Sequence, residues 1–257
     1  MPESVTTELR RLGVQRVVVN GSCEADWPAV LDLAKASDIV LPSFGYHPWY
    51  VRERTAEWQR KLISFLDAVP SAVGEIGLDR WIKDHDLPAQ TEVFVWQLRL
   101  AAERNLPVSI HCLQAWGLLL DILRSEPRPK CGFLLHSYGG SVELIEPLAE
   151  LGAYFSLSGY FAHERKTRQR EAFRRVPIER LLIETDAPDM LPPANYVRYP
   201  LLDPSSQSPV NHPANLPAVY EFAAALREQP VEQLTAQVEE NFQRLFGSLP
   251  AAIERTM

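Results

Sequence analysis

The sequence predicts a single α/β domain of the TIM (β/α)8 barrel type, and three observations carry that expectation. Short β-rich runs alternate with helical segments from end to end. Several of these runs are almost continuously apolar, as parallel strands covered on both faces must be. The 257 residues also come close to the roughly 250 that one such barrel uses. Strand–helix–strand units with right-handed crossovers leave a closed barrel or a doubly wound sheet. No linker divides the chain into the two smaller domains that its length would also allow.

In chain order, strand runs fall at residues 16–21 (RVVVNG), 39–45 (IVLPSFG), 72–78 (AVGEIGL), 107–112 (PVSIHC), 132–137 (GFLLHS), 153–158 (AYFSLS) and 181–185 (LLIET). A helix over 2–12 precedes the first. Between the third and fourth, residues 92–104 carry Phe94, Leu98 and Ala101 or Ala102 on one helical face, with Asn105-Leu106-Pro107 as the stop. Leu151-Gly152 ends another helix, and helices at 217–227 and 231–246 close the chain. Segment 189–217, rich in proline and polar residues, is too long for an ordinary connection. It reads as a loop over the active-site end of the barrel, with disorder as the plainer alternative.

Composition narrows the function. Apolar residues at 46% and charged residues at 23% suit a soluble protein with a large core. A net charge of -7 leaves no broad basic surface to hold long nucleic acid by charge alone. Cys23, Cys112 and Cys131 lack CxxC spacing, which argues against a disulfide framework and for a reducing cytoplasm. The opening MPESVTTELRR has no apolar stretch of the signal-peptide kind, and no run reaches transmembrane length, so a cytoplasmic protein without a membrane partner is expected. A monomer is expected as well. Nucleotide kinases, dehydrogenases and serine hydrolases are disfavoured, because no phosphate-binding Gly-rich loop, Rossmann fingerprint or GxSxG elbow is present.

The informative polar residues sit at strand ends. Glu75 interrupts an apolar strand, His111 ends Val-Ser-Ile-His, His136 ends Phe-Leu-Leu-His, and Asp186 follows Leu-Ile-Glu-Thr. In a parallel barrel such ends open on one mouth, so residues distant in sequence converge there. A carboxylate inside an apolar strand is costly unless it is paired or bound to a cation. Glu75 could pair with Arg80, and a single strand-end histidine is ordinarily a hydrogen-bonded structural residue. Four such residues on four strand ends weigh against that explanation. Two imidazoles and two carboxylates suit Zn, Mn or a similar divalent ion, which would acidify bound water and polarise a phosphoryl or carbonyl oxygen.

These residues also carry a resemblance. Gly-Tyr-His47-Pro, Gly-Glu75-Ile-Gly-Leu-Asp79, Ile-His111-Cys, Leu-His136-Ser and Glu184-Thr-Asp186-Ala-Pro occur in this order, followed by Asn211-His-Pro-Ala-Asn215-Leu-Pro and a terminal Glu240-Asn-Phe-Gln-Arg-Leu-Phe-Gly. Over nearly the whole chain the sequence resembles the TatD family of metal-dependent hydrolases. The resemblance implies an amidohydrolase-type TIM barrel and a divalent-metal deoxyribonuclease of 3′→5′ exonuclease character. It implies one or two ions (Zn, Mg or Mn), with Glu75 bridging, His111 and His136 completing one site, and Asp186 serving the other and orienting the attacking water. His47 would contact the scissile phosphate.

The sequence departs from that family in one serious way. Family members begin with a strand that ends in His-x-His, whereas here no histidine precedes His47. Half the ligand set of one ion is thus missing, and the barrel is short of its first strand or replaces it. A seven-stranded remnant would leave two unpaired edges. Three accounts stay open: a start site placed too late, a plug supplied by 189–217, or real loss of one metal. Smaller departures are Ser137-Tyr138, where Cys-Phe is usual, and Arg80-Trp81, where tyrosines are common; both would alter a substrate pocket.

Other features bear on substrate. Arg165, with Lys166 and Arg168, could bind DNA phosphates near the mouth, although a solvated helix face is the plainer reading. Trp49 could stack on a base or pack under the 189–217 loop. Cys112 reads as a small core residue. The expected function is metal-dependent hydrolysis of DNA ends or short nucleic acids, with Glu75, Asp186 and His47 catalytic and His47, Trp49 and Arg165 binding substrate. Two alternatives are a catalytically impaired barrel that binds nucleic acid or protein, and a hydrolase of a small ester or amide.

Overall fold

In a computed structural model, which describes residues 3–247 and 249, each of the seven expected strands is present within a residue or two of its expected ends. Contacts group the described residues into two compact units. Helix α1 (Glu3–Arg11) opens the chain and belongs to the second.

The first unit runs from Gln15 to His136, joined by Leu151–Ala153 and the described residues after Phe242. It follows the alternation β1 (Val17–Gly21), α2 (Trp27–Ala36), β2 (Val40–Phe44), α3 (Trp58–Ala68), β3 (Ala72–Asp79), α4 (Leu87–Arg104), β4 (Val108–Leu113), α5 (Trp116–Ser125) and β5 (Phe133–Leu135). These strands are parallel and ordered as in sequence, with Val17 opposite Val40, Ser43 opposite Ala72, Gly77 opposite His111 and Ile110 opposite Leu135. Strands β2 and β5 are buried at every position, which is why they read as continuous apolar runs.

Helix α4 starts five residues before the expected Glu92. Asp86 caps it by accepting the Ala89 N–H at 3.1 Å, and Pro88 fits the first turn, where no intrahelical N–H is needed. It ends where expected, at Asn105 in the left-handed conformation. Phe94, Leu98 and Ala101 are fully buried on its inner face.

The second unit takes Ser137–Glu150 and Tyr154–Phe242. Its elements are α6 (Ile145–Glu150), β6 (Ala153–Ser158), α7 (Thr167–Arg175), β7 (Leu181–Glu184), β8 (Leu201–Leu202), β9 (Pro209–Val210), α8 (Leu216–Leu226) and most of α9 (Val231–Phe246). Strands β6 and β7 are parallel, with Phe155 opposite Leu181 and Ser158 opposite Glu184. Helix α9 is tied to the start of β7 by the buried Asn241, whose amide donates to Ile178 O and Leu181 O at 2.7 and 2.8 Å.

Segment 189–217 is built rather than disordered. It holds the β8–β9 hairpin and two short 3-10 turns. The hairpin strands pair with each other in a sheet of their own, so they do not stand in for a barrel strand. Its anchors are the asparagines of the Asn211-His-Pro-Ala-Asn215 motif. Asn211 donates to Thr185 O at 2.7 Å, and Asn215 accepts the N–H groups of Arg198 and Tyr199, both at 2.8 Å. Among the described residues no helix is long and apolar enough to cross a membrane.

Candidate metal centre

Helix α4 sets the ends of two strands with two glutamines on its buried face. Gln97 accepts the Tyr46 N–H at 2.7 Å and returns a bond to Tyr46 O at 3.3 Å. Gln90 grips Asp79 the same way, at 2.8 and 2.9 Å. Seven residues apart, the two amides lie about two helical turns from one another on one side. Both are essentially unexposed. The turn before Tyr46 is held by the Trp27 indole, which donates to Gly45 O at 2.9 Å. His47 and Asp79 therefore follow backbone that has little freedom to move.

The glycines of Gly74-Glu75-Ile-Gly77 bring β3 close to β4. At Gly77, φ is +148° and a Cβ would stand 2.0 Å from the His111 carbonyl oxygen, a distance no side chain tolerates. At Gly74, φ is +156° and a Cβ would lie 2.8 Å from the Ser109 Cβ. The strand register shifts between Val73 and Ile76, on either side of Glu75.

Glu75 meets three imidazoles rather than Arg80, which is exposed. Its Oε1 lies 2.8 Å from His136 Nε2, 3.1 Å from His111 Nδ1 and 3.4 Å from His47 Nε2. His111 Nδ1 and His136 Nε2 are 3.3 Å apart. Burial pushes the Glu75 carboxyl up, but the charge of His136 and hydrogen bonds from all three histidines outweigh it and hold the group well below the usual carboxylate range. The anion is therefore present at neutral pH.

Which of these atoms could hold an ion follows from their hydrogen bonds. His111 Nε2 faces Asp79 Oδ2 at 3.0 Å, so in the neutral ring it carries the proton and the Nδ1 lone pair is the one available to an ion beside Glu75 and His136. Burial lowers this imidazole, but its bonds to Asp79 and Glu75 outweigh that and hold it above its ordinary pKa, and the charged ring donates from Nδ1 to Glu75 as well. His47 is the reverse case. Its Nδ1 accepts the Trp49 N–H at 3.2 Å, so in the neutral ring the proton sits on Nε2, and burial does hold this imidazole below its ordinary pKa. His47 thus offers Glu75 an N–H and not a lone pair, although its ring nitrogen lies within 4.8 Å of the ligand atoms of Glu75 and His111. Glu75, His111 and His136 remain, with ligand atoms 2.8, 3.1 and 3.3 Å apart. Ligands on a tetrahedral ion at about 2.0–2.1 Å stand about 3.3 Å from each other. The triangle is small enough for all three atoms to touch one divalent ion, and the carboxylate and imidazole donors suit it.

Asp79 is the residue that sequence reasoning passed over. It is fully buried, yet its Oδ2 takes both His111 Nε2 and the Trp49 indole N–H (2.7 Å), while its Oδ1 accepts the N–H groups of Trp81 (2.7 Å) and Ile82 (3.1 Å). Burial raises this carboxyl, but the bonds from His111 and Trp49 more than offset it, leaving the pKa at about 2. The signal was an acidic residue ending the same apolar strand as Glu75. Trp49 keeps 46% of its surface exposed and sets its ring edge-on to His47, with centroids 5.1 Å apart.

In the second unit, Asp186 follows β7 with φ of +55°, a left-handed conformation that aspartate tolerates better than most residues. Two residues earlier, Glu184 Oε1 accepts from the Ser137 N–H (2.8 Å) and hydroxyl (2.5 Å), and Oε2 accepts from the Ser156 hydroxyl (2.5 Å). Ser137 thus supports a carboxylate, and Tyr138 is a core residue that donates to Ser141 O at 2.7 Å. The expectation that both alter a substrate pocket is corrected for Tyr138, which is wholly buried. Arg165 is exposed and lies over Tyr160, donating to its hydroxyl at 2.5 Å, with Lys166 on the same ring. Cys112 is a core residue whose thiol burial pushes up to about 12.

The family model described as TatD related DNase matches residues 1–247. The chain belongs to the TatD family of metal-dependent hydrolases. The TatD-family relatives include the 3′-5′ ssDNA/RNA exonuclease TatD of Shigella flexneri serotype 5b, which is 32% identical over 91% of this chain and 88% of its own length. The uncharacterized metal-dependent hydrolase YcfH of Escherichia coli K12 is 33% identical over 84% of this chain and 77% of its own length. Among solved structures, the TatD homologue YjjV of Escherichia coli K12 superposes with a TM-score of 0.85 at 26% identity, covering 95% of this chain and 91% of that one. The fold is therefore the α/β, TIM-barrel-like fold of TatD structures.

Proposed function

We propose that this chain is a divalent-metal-dependent phosphodiesterase that removes nucleotides from the ends of single-stranded nucleic acid. The observation that carries the reading is the triangle of Glu75, His111 and His136, whose three ligand atoms lie 2.8, 3.1 and 3.3 Å from one another. An ion held there supplies Lewis acidity, which polarises a phosphoryl oxygen and acidifies water. Relatives at about a third identity that are named 3′-5′ ssDNA/RNA exonucleases support the substrate class.

The chain's own residues take distinct parts. His111 and His136 hold the ion together with Glu75. His47, neutral and protonated on Nε2, donates to an anionic oxygen of the scissile phosphate when substrate displaces it from Glu75. Trp49, half exposed and beside His47, offers a face for the terminal base; such stacking contributes about 1–3 kcal/mol per base. By its Glu-Thr-Asp-Ala-Pro motif Asp186 is given the part of orienting the attacking water, and the exposed guanidinium of Arg165 that of holding a phosphate of the nucleic acid.

The test is degradation of single-stranded DNA labelled at either end. Trimming from the 3′ end that stops with a chelator and returns with added Zn, Mn or Mg is expected. Protein that carries metal yet leaves every nucleic acid intact contradicts the substrate class. Metal-free and inert protein contradicts the enzyme reading altogether, leaving a binding role.

A further inference from the structure

We propose that Asp79 is a positioning residue of the metal centre, fixing His111 in the one tautomer that presents Nδ1 to the ion. The inference rests on the reading of Glu75, His111 and His136 as ligands. Asp79 touches neither ion nor substrate in this scheme. It acts through His111.

Four N–H groups converge on this one buried carboxylate: His111 Nε2 and Trp49 Nε1 on one oxygen, Trp81 N and Ile82 N on the other. Ionised, it is acceptor only, so every donor is satisfied and the His111 proton is kept on Nε2. The backbone of Asp79 is clamped by Gln90, and the loop that follows is folded onto Oδ1, so the carboxylate cannot turn away. A ligand imidazole held by a carboxylate on its far nitrogen has fixed orientation and raised basicity. The indole of Trp49 shares Oδ2, which leaves that oxygen no room to swing off His111.

Asp79→Asn is nearly isosteric but cannot satisfy the same four donors. With its oxygen kept toward Trp81 and Ile82, its NH2 faces two further N–H groups. Flipped, it faces the two backbone N–H groups instead. His111 can relieve the first conflict only by moving its proton to Nδ1, the atom the ion needs.

The tests use zinc alone as the probe, in competition with a chromophoric chelator, and nitrogen-15 NMR of the histidines in metal-free wild-type protein at alkaline pH. His111 is expected to be protonated on Nε2, and Asp79→Asn to lose about 10–100-fold in zinc affinity while its melting curve stays cooperative. His111 protonated on Nδ1 in the wild type overturns the proposal with no variant needed, which covers the case of an Asp79→Asn protein that does not fold. Wild-type zinc affinity in Asp79→Asn, alongside loss in Glu75→Ala, sinks this inference and spares the metal centre. Failure of the wild type to bind zinc sinks both.

Discussion

At the scale of single residues, hydrogen bonds decide what identity alone leaves open. Three histidines surround Glu75, but His111 and His47 are protonated on the same ring nitrogen and turn it to opposite uses. His111 points its Nε2–H away, to Asp79, and His47 points its own at Glu75. The strand-end pattern identified Glu75, His111 and His136 because charged and imidazole side chains interrupt apolar runs. It could not identify Asp79, whose role depends on a tryptophan thirty residues back and a histidine thirty-two residues on. Nor could it show that Tyr138 turns into the core. Gly77 supplies a residue-scale prediction. Gly77→Ala puts a Cβ against the His111 carbonyl in a backbone conformation alanine resists. It should cost about 1–3 kcal/mol or more, read as a lower urea midpoint, and should weaken metal binding along with it. An unchanged midpoint would mean that β3 and β4 are not as close as described.

Among the elements, α4 has the largest effect on the site. Its apolar face was legible from Phe94, Leu98 and Ala101, but the same face carries Gln90 and Gln97, which a periodicity reading assigns to solvent. Each amide instead completes a backbone N–H and C=O pair where a strand has ended and its ladder can no longer do so. The early start of α4 was written in Asp86 and Pro88, a cap signal outside the apolar pattern. Gln97→Ala leaves Tyr46 N–H unsatisfied in the interior and should cost about 1–3 kcal/mol of stability. Because His47 follows Tyr46 directly, this variant should also raise KM for a single-stranded DNA substrate, with metal content unchanged. Lost metal with normal KM would show that α4 does not act through His47.

For the whole molecule, the alternation of strands and helices made the fold class readable, since parallel strands under helices leave long apolar runs at regular intervals. The 189–217 segment was less readable. Its order comes from Asn211 and Asn215 reaching backbone groups, not from periodicity. An ion that binds the folded chain and not the unfolded one stabilises it by mass action, by about 2.7 kcal/mol at a hundredfold excess over Kd. Chelation should therefore lower Tm, and zinc should restore it. Equal Tm in chelator and in zinc would argue that no ion is bound to the fold.

The most direct measurement is the metal content of purified protein, wild type beside Glu75→Ala, after reloading with zinc and desalting. The triangle of Glu75, His111 and His136 predicts about one tightly held ion per wild-type chain and near none in the variant, with matching circular dichroism. Equal metal in the two proteins would contradict the assignment of Glu75, and with it the centre described here.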